Sequence, residues 1–112
     1  MTDNLPKLSL ALAVFNEADN LAACLETVKD LASEIVIVDG ASTDTTIQVA
    51  EKYGAKVIKE INRTNFHINK QIAIDACQGT WILQLDADER ISSMLAKEIR
   101  AVIDAPLQGQ PD

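Results

Sequence analysis

Asp86-Ala87-Asp88 places two carboxylates directly after the apolar run 80–85. In an extended stretch, side chains two residues apart share a face. Magnesium or manganese takes one or two carboxylates, with substrate phosphates and water filling the remaining positions. The chemistry on offer is a metal bridge to a diphosphate. A solvated Asp-x-Asp turn is the plainer alternative, and the position after a buried strand shifts the balance toward the ion.

Three further groups have the same character. Asp39 closes the β-branched run Ile35-Val36-Ile37-Val38 and precedes Gly40-Ala41-Ser42-Thr43-Asp44. A carboxylate there can accept from a base N–H or a ribose hydroxyl, or it can simply form a turn. Asn16-Glu17 follows Phe15 at the end of the first apolar run, where a nucleobase would lie; Glu17 faces a ligand or merely precedes a helix capped by Asp19. Lys70 and Arg63 are the cations suited to a diphosphate, whereas Lys56 and Lys59 read as a solvated basic face. His67, the one histidine, lacks a positioned partner and reads as a surface residue rather than a general base.

These groups need elements to position them. Residues 8–15 form a nearly unbroken apolar run, the mark of a strand covered on both faces. Leu21, Leu25, Val28 and Leu31 recur at helical spacing with Cys24 beside them. A second strand at 34–38 leads to a helix capped by Ser42 or Thr43, with Ile47, Ala50 and Tyr53 on one face, Asp44 in its first turn and Gly54 as its stop. A short strand at 56–58, a helix faced by Ile68, Ile72 and Ala76, and a strand at 80–85 come next. The last helix follows a Ser92-Ser93 cap and carries Leu95, Ile99, Val102 and Ile103. Strict alternation of strand and helix predicts a Rossmann-like α/β domain with a doubly wound, mainly parallel sheet. In such sheets ligands gather at the carboxyl ends of strands, and all three acidic groups fall there.

Size and charge set the outer limits. A chain of 112 residues with 47% hydrophobic side chains fits one domain, with an ordered core over about 8–104 and a polar tail over 105–112. The net charge of −7 repels polyanions, which disfavours nucleic acid and anionic membranes as bulk partners. Cys24 and Cys77 form no metal-binding pattern and read as small apolar residues in a reducing compartment, with a cytoplasmic location expected. Lys7 and Ala11-Leu12-Ala13 imitate a signal peptide, but the run is short and fits a buried strand better. No stretch approaches the ~20 apolar residues of a spanning helix.

Taken in order, Leu12-Ala13-Val14-Phe15-Asn16-Glu17, Ile37-Val38-Asp39-Gly40-Ala41-Ser42-Thr43-Asp44 and Leu85-Asp86-Ala87-Asp88-Glu89 resemble the three signatures of family 2 glycosyltransferases. The resemblance runs from Leu8 to about Ile103 and leans toward bacterial members that build lipopolysaccharide core or related surface glycans. It implies the GT-A fold and transfer of a sugar from a nucleotide diphosphate donor, UDP-type in the first instance, to a hydroxyl of a glycan or lipid-linked acceptor. Phe15, Asn16, Glu17 and Asp39 match positions around the nucleoside, Lys70 a basic position near the diphosphate, and Asp86 and Asp88 the Mn2+- or Mg2+-binding acidic motif, Asp88 being the more direct ligand.

Departures from the pattern are Ala13 for a frequent proline, Gln71 for a frequent asparagine, and Ala41 for the glycine before the serine, which puts the loop after Asp39 in question. Complete members continue into an acceptor-binding half that carries the catalytic base, and no such segment follows Ile103. The expectation is therefore a donor-binding half with no assignable base, any peripheral membrane association being made through a segment outside these residues. The alternatives are a catalytically silent nucleotide-sugar-binding domain and a nucleotidyltransferase. The latter is disfavoured because Phe15-Asn16-Glu17-Ala18 lacks the glycines and cations of its phosphate loop. A phosphoacceptor module modified at Asp39 lacks the acidic pair and lysine it would need.

Overall fold

The computed structural model describes residues 7–62 and 64–105; Arg63 and the polar tail beyond Ala105 lie outside the described residues. Eight elements alternate as the sequence predicts: β1 (Leu8–Val14), α1 (Ala18–Val28), β2 (Glu34–Asp39), α2 (Thr46–Lys52), β3 (Lys56–Lys59), α3 (Phe66–Asp75), β4 (Trp81–Gln84) and α4 (Ser93–Asp104). All strands are parallel, in the order β3-β2-β1-β4. The chain winds outward from β1 through β2 to β3, then crosses back to lay β4 on the other side of β1. That reversal places a switch point between β1 and β4, the position at which open α/β sheets of this kind hold a ligand crevice.

β1 owes its nearly unbroken apolar sequence to this central place, since every one of its residues is buried. Alternation sorts the two faces. Leu10, Leu12 and Val14 pack with Ile35, Ile37 and the α1 residues Leu21, Cys24, Leu25 and Val28, while Ala11, Val36 and Val38 pack with Ala73 of α3. Burying the four apolar α1 side chains contributes about 1.5–3 kcal/mol each for the larger ones. Cys24 and Cys77 are both free. Burial pushes the Cys24 thiol up to about 11, so it serves as a small apolar group.

Several local expectations are corrected. Ser42 and Thr43 do not cap α2, whose cap position is Thr45, because both are drawn instead into the loop after Asp39. Asp19 is not the cap of α1; Glu17 holds that position without a side-chain cap bond, and Asp19 lies in the first turn. On α3 the buried positions are Asn69 and Ala73 and Ile68 is exposed, since the Asn69 amide reaches the Ile61 carbonyl at 3.0 Å and turns that face inward. Gly54 does end α2, at φ 78°.

The periodic face of α4 is present but nothing on that helix is buried. Leu95, Ile99, Val102 and Ile103 instead line an apolar groove of about 330 Å³ with Leu8 and β4. Trp81 and Ile82 on the outer strand stay exposed. Among the described residues no helix is long and apolar enough to cross a membrane.

At the opposite end from the crevice, Ser9 Oγ donates to Glu34 Oε1 at 2.5 Å and accepts from Gly79 N–H at 2.8 Å, tying the α3–β4 loop to the start of β1. A Cβ at Gly79 would stand 2.5 Å from Ser9 Oγ and 2.9 Å from Ser9 N. Gly79→Ala is expected to cost about 1–3 kcal/mol, because the contact is with backbone and a buried hydroxyl that cannot yield. Urea unfolding checks this, and an unchanged midpoint would contradict the packing.

Candidate functional site

Register fixes the heights of the functional loops. Val14 pairs with Asp39 and Asp39 with Lys59, so Asp39 ends β2 level with the end of β1. β4 stops earlier, with Gln84 opposite Ala11, and the chain continues through Leu85 into the acidic turn. The carboxyl edge of the sheet therefore carries the Asn16-Glu17 loop, the loop after Asp39 and the Asp86–Asp88 segment.

Asp39 is only 1% exposed. A buried carboxylate requires hydrogen-bond donors, and Ser42 supplies two. Its Oγ donates to Asp39 Oδ1 at 2.6 Å, and its N–H donates to Oδ2 at 2.9 Å. The same Ser42 Oγ accepts the Asn16 N–H at 2.8 Å, and Asn16 Oδ1 in turn accepts the N–H groups of Thr43 at 2.7 Å and Asp44 at 3.3 Å. This relay stitches the loop after β1 to the loop after β2. Asn16 and Ala41 both adopt positive φ, 50° and 67°. Asparagine tolerates that region, but alanine is strained in it. The loop geometry that the alanine put in question is therefore adopted, at a local cost.

Asp44 stands ahead of α2 rather than in its first turn. Its Oδ1 accepts from the Thr46 N–H at 2.9 Å and from the Thr46 hydroxyl, and its Oδ2 accepts from Ala18 N–H at 3.4 Å. The Thr46 bond is the main reason its carboxyl is held below the usual range. Thr46 Oγ1 also accepts the Glu17 N–H at 3.0 Å, so both helix starts share one knot. An open cleft of about 460 Å³ lies over this junction, lined by Asn16, Glu17, Asp19, Asn20 and Asp44 among others. Glu17 Oε1 accepts from Asn20 Nδ2 at 3.2 Å on its wall. Three acids and no base line the cleft, which suits hydroxyls and N–H donors and repels phosphate. Phe15, just before it, is half-buried.

The Asp86–Asp88 segment is not extended. Glu89 N–H donates to the Asp86 carbonyl at 2.9 Å, and Asp86 N–H donates to Glu89 Oε1 at 2.7 Å, closing a β-turn with Ala87 and Asp88 at its tip. The expectation that both carboxylates share one face of an extended strand is overturned by this reciprocal pair. Asp86 Oδ1 lies 3.0 Å from Lys70 Nζ, and the ammonium also sits 5.5 Å from the centroid of the Phe66 ring. Gln84 Nε2 reaches the same oxygen at 3.4 Å. Asp88 is exposed at the tip. Arg90 anchors the turn toward the cleft, donating to the Ala87 carbonyl at 2.9 Å and to Asn20 Oδ1 at 3.2 Å. His67 is exposed on α3, as a surface residue would be.

The oxygen-only donors Asp86 and Asp88 suit a hard divalent ion. Among the described residues no group of three or more His, Cys, Asp or Glu gathers as a cage. Two carboxylates are the donor count of an ion shared with a diphosphate, and to that extent the residues fit it. Sequence reasoning missed Ser42, Thr46 and Arg90 as the residues that hold the loops. The Asp39-x-x-Ser42 spacing is the signal for the first, since short polar side chains three apart commonly bond within a turn.

The profile of "Glycosyl transferase family 2" matches residues 9–108. An uncharacterized glycosyltransferase of Rickettsia felis is 38% identical over 96 residues, covering 86% of this chain and 34% of its own length. The lipopolysaccharide core biosynthesis glycosyltransferase LpsC of Rhizobium meliloti is 35% identical over 98 residues, covering 81% of this chain and 36% of its own. Among solved structures, S. aureus TarS 1-349 superposes with a TM-score of 0.75 at 28% identity, covering 88% of this chain and 32% of that one. The mannosyltransferase PcManGT of Pyrobaculum calidifontis, in complex with GDP-Man and Mn2+, gives 0.71 at 20% identity over 88% of this chain and 32% of its own, a likeness of fold. The chain thus spans about a third of the length of these two curated relatives.

Ala41→Gly is expected to raise stability by about 0.5–1 kcal/mol. It removes about 1–2 kcal/mol of left-handed strain and returns part of that as chain entropy in the unfolded state. Urea titration checks it, and a destabilised variant would contradict the positive φ at this position.

Proposed function

The chain belongs to glycosyltransferase family 2, and on that premise we propose that its crevice binds the nucleotide diphosphate of an activated sugar for transfer to an acceptor hydroxyl. The observation that carries this reading is the meeting of three loops at the switch point: the stitched pair after β1 and β2, and the acidic turn after β4 tied to them through Arg90 and Asn20.

Each group has a role that suits its surroundings. Asp39, with two of its roughly four acceptor positions used by Ser42, retains capacity for a base N–H or ribose hydroxyl. Phe15, Asn16 and Glu17 border the nucleoside, and the acidic cleft beside them favours hydroxyl-bearing groups over phosphate. Lys70 supplies the cation for the diphosphate. Asp86 and Asp88 would hold Mn2+ or Mg2+, with Asp88 at the open tip the more direct ligand and Asp86 also within reach of the ribose. The ion, when bound, neutralises the charge that develops as the diphosphate leaves. The GDP-Man and Mn2+ bound by PcManGT and the family membership support a nucleotide sugar and a divalent ion as the ligands.

UDP is the first donor nucleotide to test, and likeness to LpsC favours a cell-surface glycan or lipid-linked acceptor. No base is assigned within these residues. Donor binding without transfer is the second reading, and an assay for released UDP separates the two.

Calorimetry with UDP tests the proposal. Binding is expected to weaken by about tenfold or more when a chelator replaces Mn2+, because an acidic site repels the diphosphate unless an ion screens it. Asp88→Ala is expected to remove most of that metal-dependent gain while leaving the circular dichroism spectrum unchanged. Equal UDP affinity with Mn2+ and with chelator would overturn the metal bridge.

A further inference from the structure

We propose that Lys70 is a positioning residue whose ammonium, held on Asp86 Oδ1, competes with a divalent cation for the acidic turn, so that its release onto the diphosphate couples the binding of metal and nucleotide. The inference rests on the donor-binding reading above and adds to it an order of dependence between the two ligands.

The geometry is specific. Lys70 is the more enclosed partner of the pair, its side chain 21% exposed against 49% for Asp86. Its Nζ is pinned between Asp86 Oδ1 at 3.0 Å and the Phe66 ring at 5.5 Å. A divalent ion binds a carboxylate oxygen at about 2.1 Å. An ammonium kept on that same oxygen would face the ion across only a few ångströms, a like-charge repulsion that weakens the hold of each on the carboxylate. Movement of the lysine off Oδ1 relieves that repulsion as the ion arrives.

Where the ammonium goes decides how costly its withdrawal is. With the ion alone, Lys70 loses its carboxylate and gains no anion, so binding is weak. With a diphosphate present, phosphate oxygens replace the carboxylate as its partner and the loss is offset. Metal then strengthens nucleotide binding and nucleotide strengthens metal binding by the same factor. Lysine is suited to this exchange because it is a flexible point charge, free of the fixed fork of an arginine.

The test is calorimetry and Mn2+ electron paramagnetic resonance on the native chain, Lys70→Met and Lys70→Arg, titrating Mn2+ alone, UDP alone, and each in the presence of the other. Methionine keeps an apolar stem on Phe66 and removes the charge. Lys70→Met is expected to bind Mn2+ alone about three- to tenfold more tightly than the native chain. It should also bind UDP with Mn2+ more weakly and lose most of the coupling between the two ligands. Lys70→Arg should stay near native Mn2+ affinity, since the charge is restored. Unchanged or weaker Mn2+ binding in Lys70→Met overturns the proposal, as does a Lys70→Arg variant that behaves like Lys70→Met. A native chain that binds Mn2+ but not UDP sinks the donor-binding reading, while the Mn2+-only comparison still decides the role of Lys70. Absence of Mn2+ binding in all three proteins overturns both.

Discussion

Asp39 closes a strand buried on both faces, and a carboxylate in that position must find hydrogen-bond donors nearby or destabilise the edge of the sheet. Ser42 supplies them, and in doing so bends the loop after β2 far enough to put Ala41 at positive φ. The same hydroxyl accepts from Asn16, whose own amide oxygen holds Thr43 and Asp44. One buried side chain thus ties the shape of two loops together, and those loops define the wall of the cleft. The third loop follows from a different constraint, the early end of β4 opposite Ala11, which leaves room for the acidic turn beside the end of β1.

The broad architecture was legible because β1 and β2 are apolar along most of their length and the helices between strands repeat at helical spacing. Burial of whole strands is a composition signal, and it survives without knowledge of the partners. Leu21, Leu25 and Val28 were readable for the same reason, and all three are buried. The faces of α3 and α4 were harder. Asn69 is drawn inward by the Ile61 carbonyl, a contact between residues eight apart across an irregular loop, which periodicity does not report. The α4 pattern marked an apolar face, but periodicity does not report what covers it.

The site divides in the same way. Asp39, Asn16, Glu17, Asp86 and Asp88 were legible as residues at strand ends, and that is where they lie. Their connections were not, because hydrogen bonds such as Asn16 to Ser42 join residues 26 apart and depend on the register of β1 with β2. The extended geometry expected for Asp86-Ala87-Asp88 failed for a local reason: Glu89 folds back onto the Asp86 N–H and tightens the segment into a turn. Lys70 was readable as a cation near the site, but its pairing with Asp86 depends on how α3 lies against the sheet.

The central claim is that the loops after β1, β2 and β4 form one donor-binding site. Backbone amide chemical-shift mapping of the ¹⁵N-labelled chain, titrated with UDP and Mg2+, tests it most directly, because it reports every loop in one experiment. The account predicts saturable shifts that move together, with one apparent Kd, at Asn16, Glu17, Gly40, Ser42, Lys70 and Asp86. Shifts confined to the apolar groove between β4 and α4, or shifts in one of the three loops alone, would contradict it.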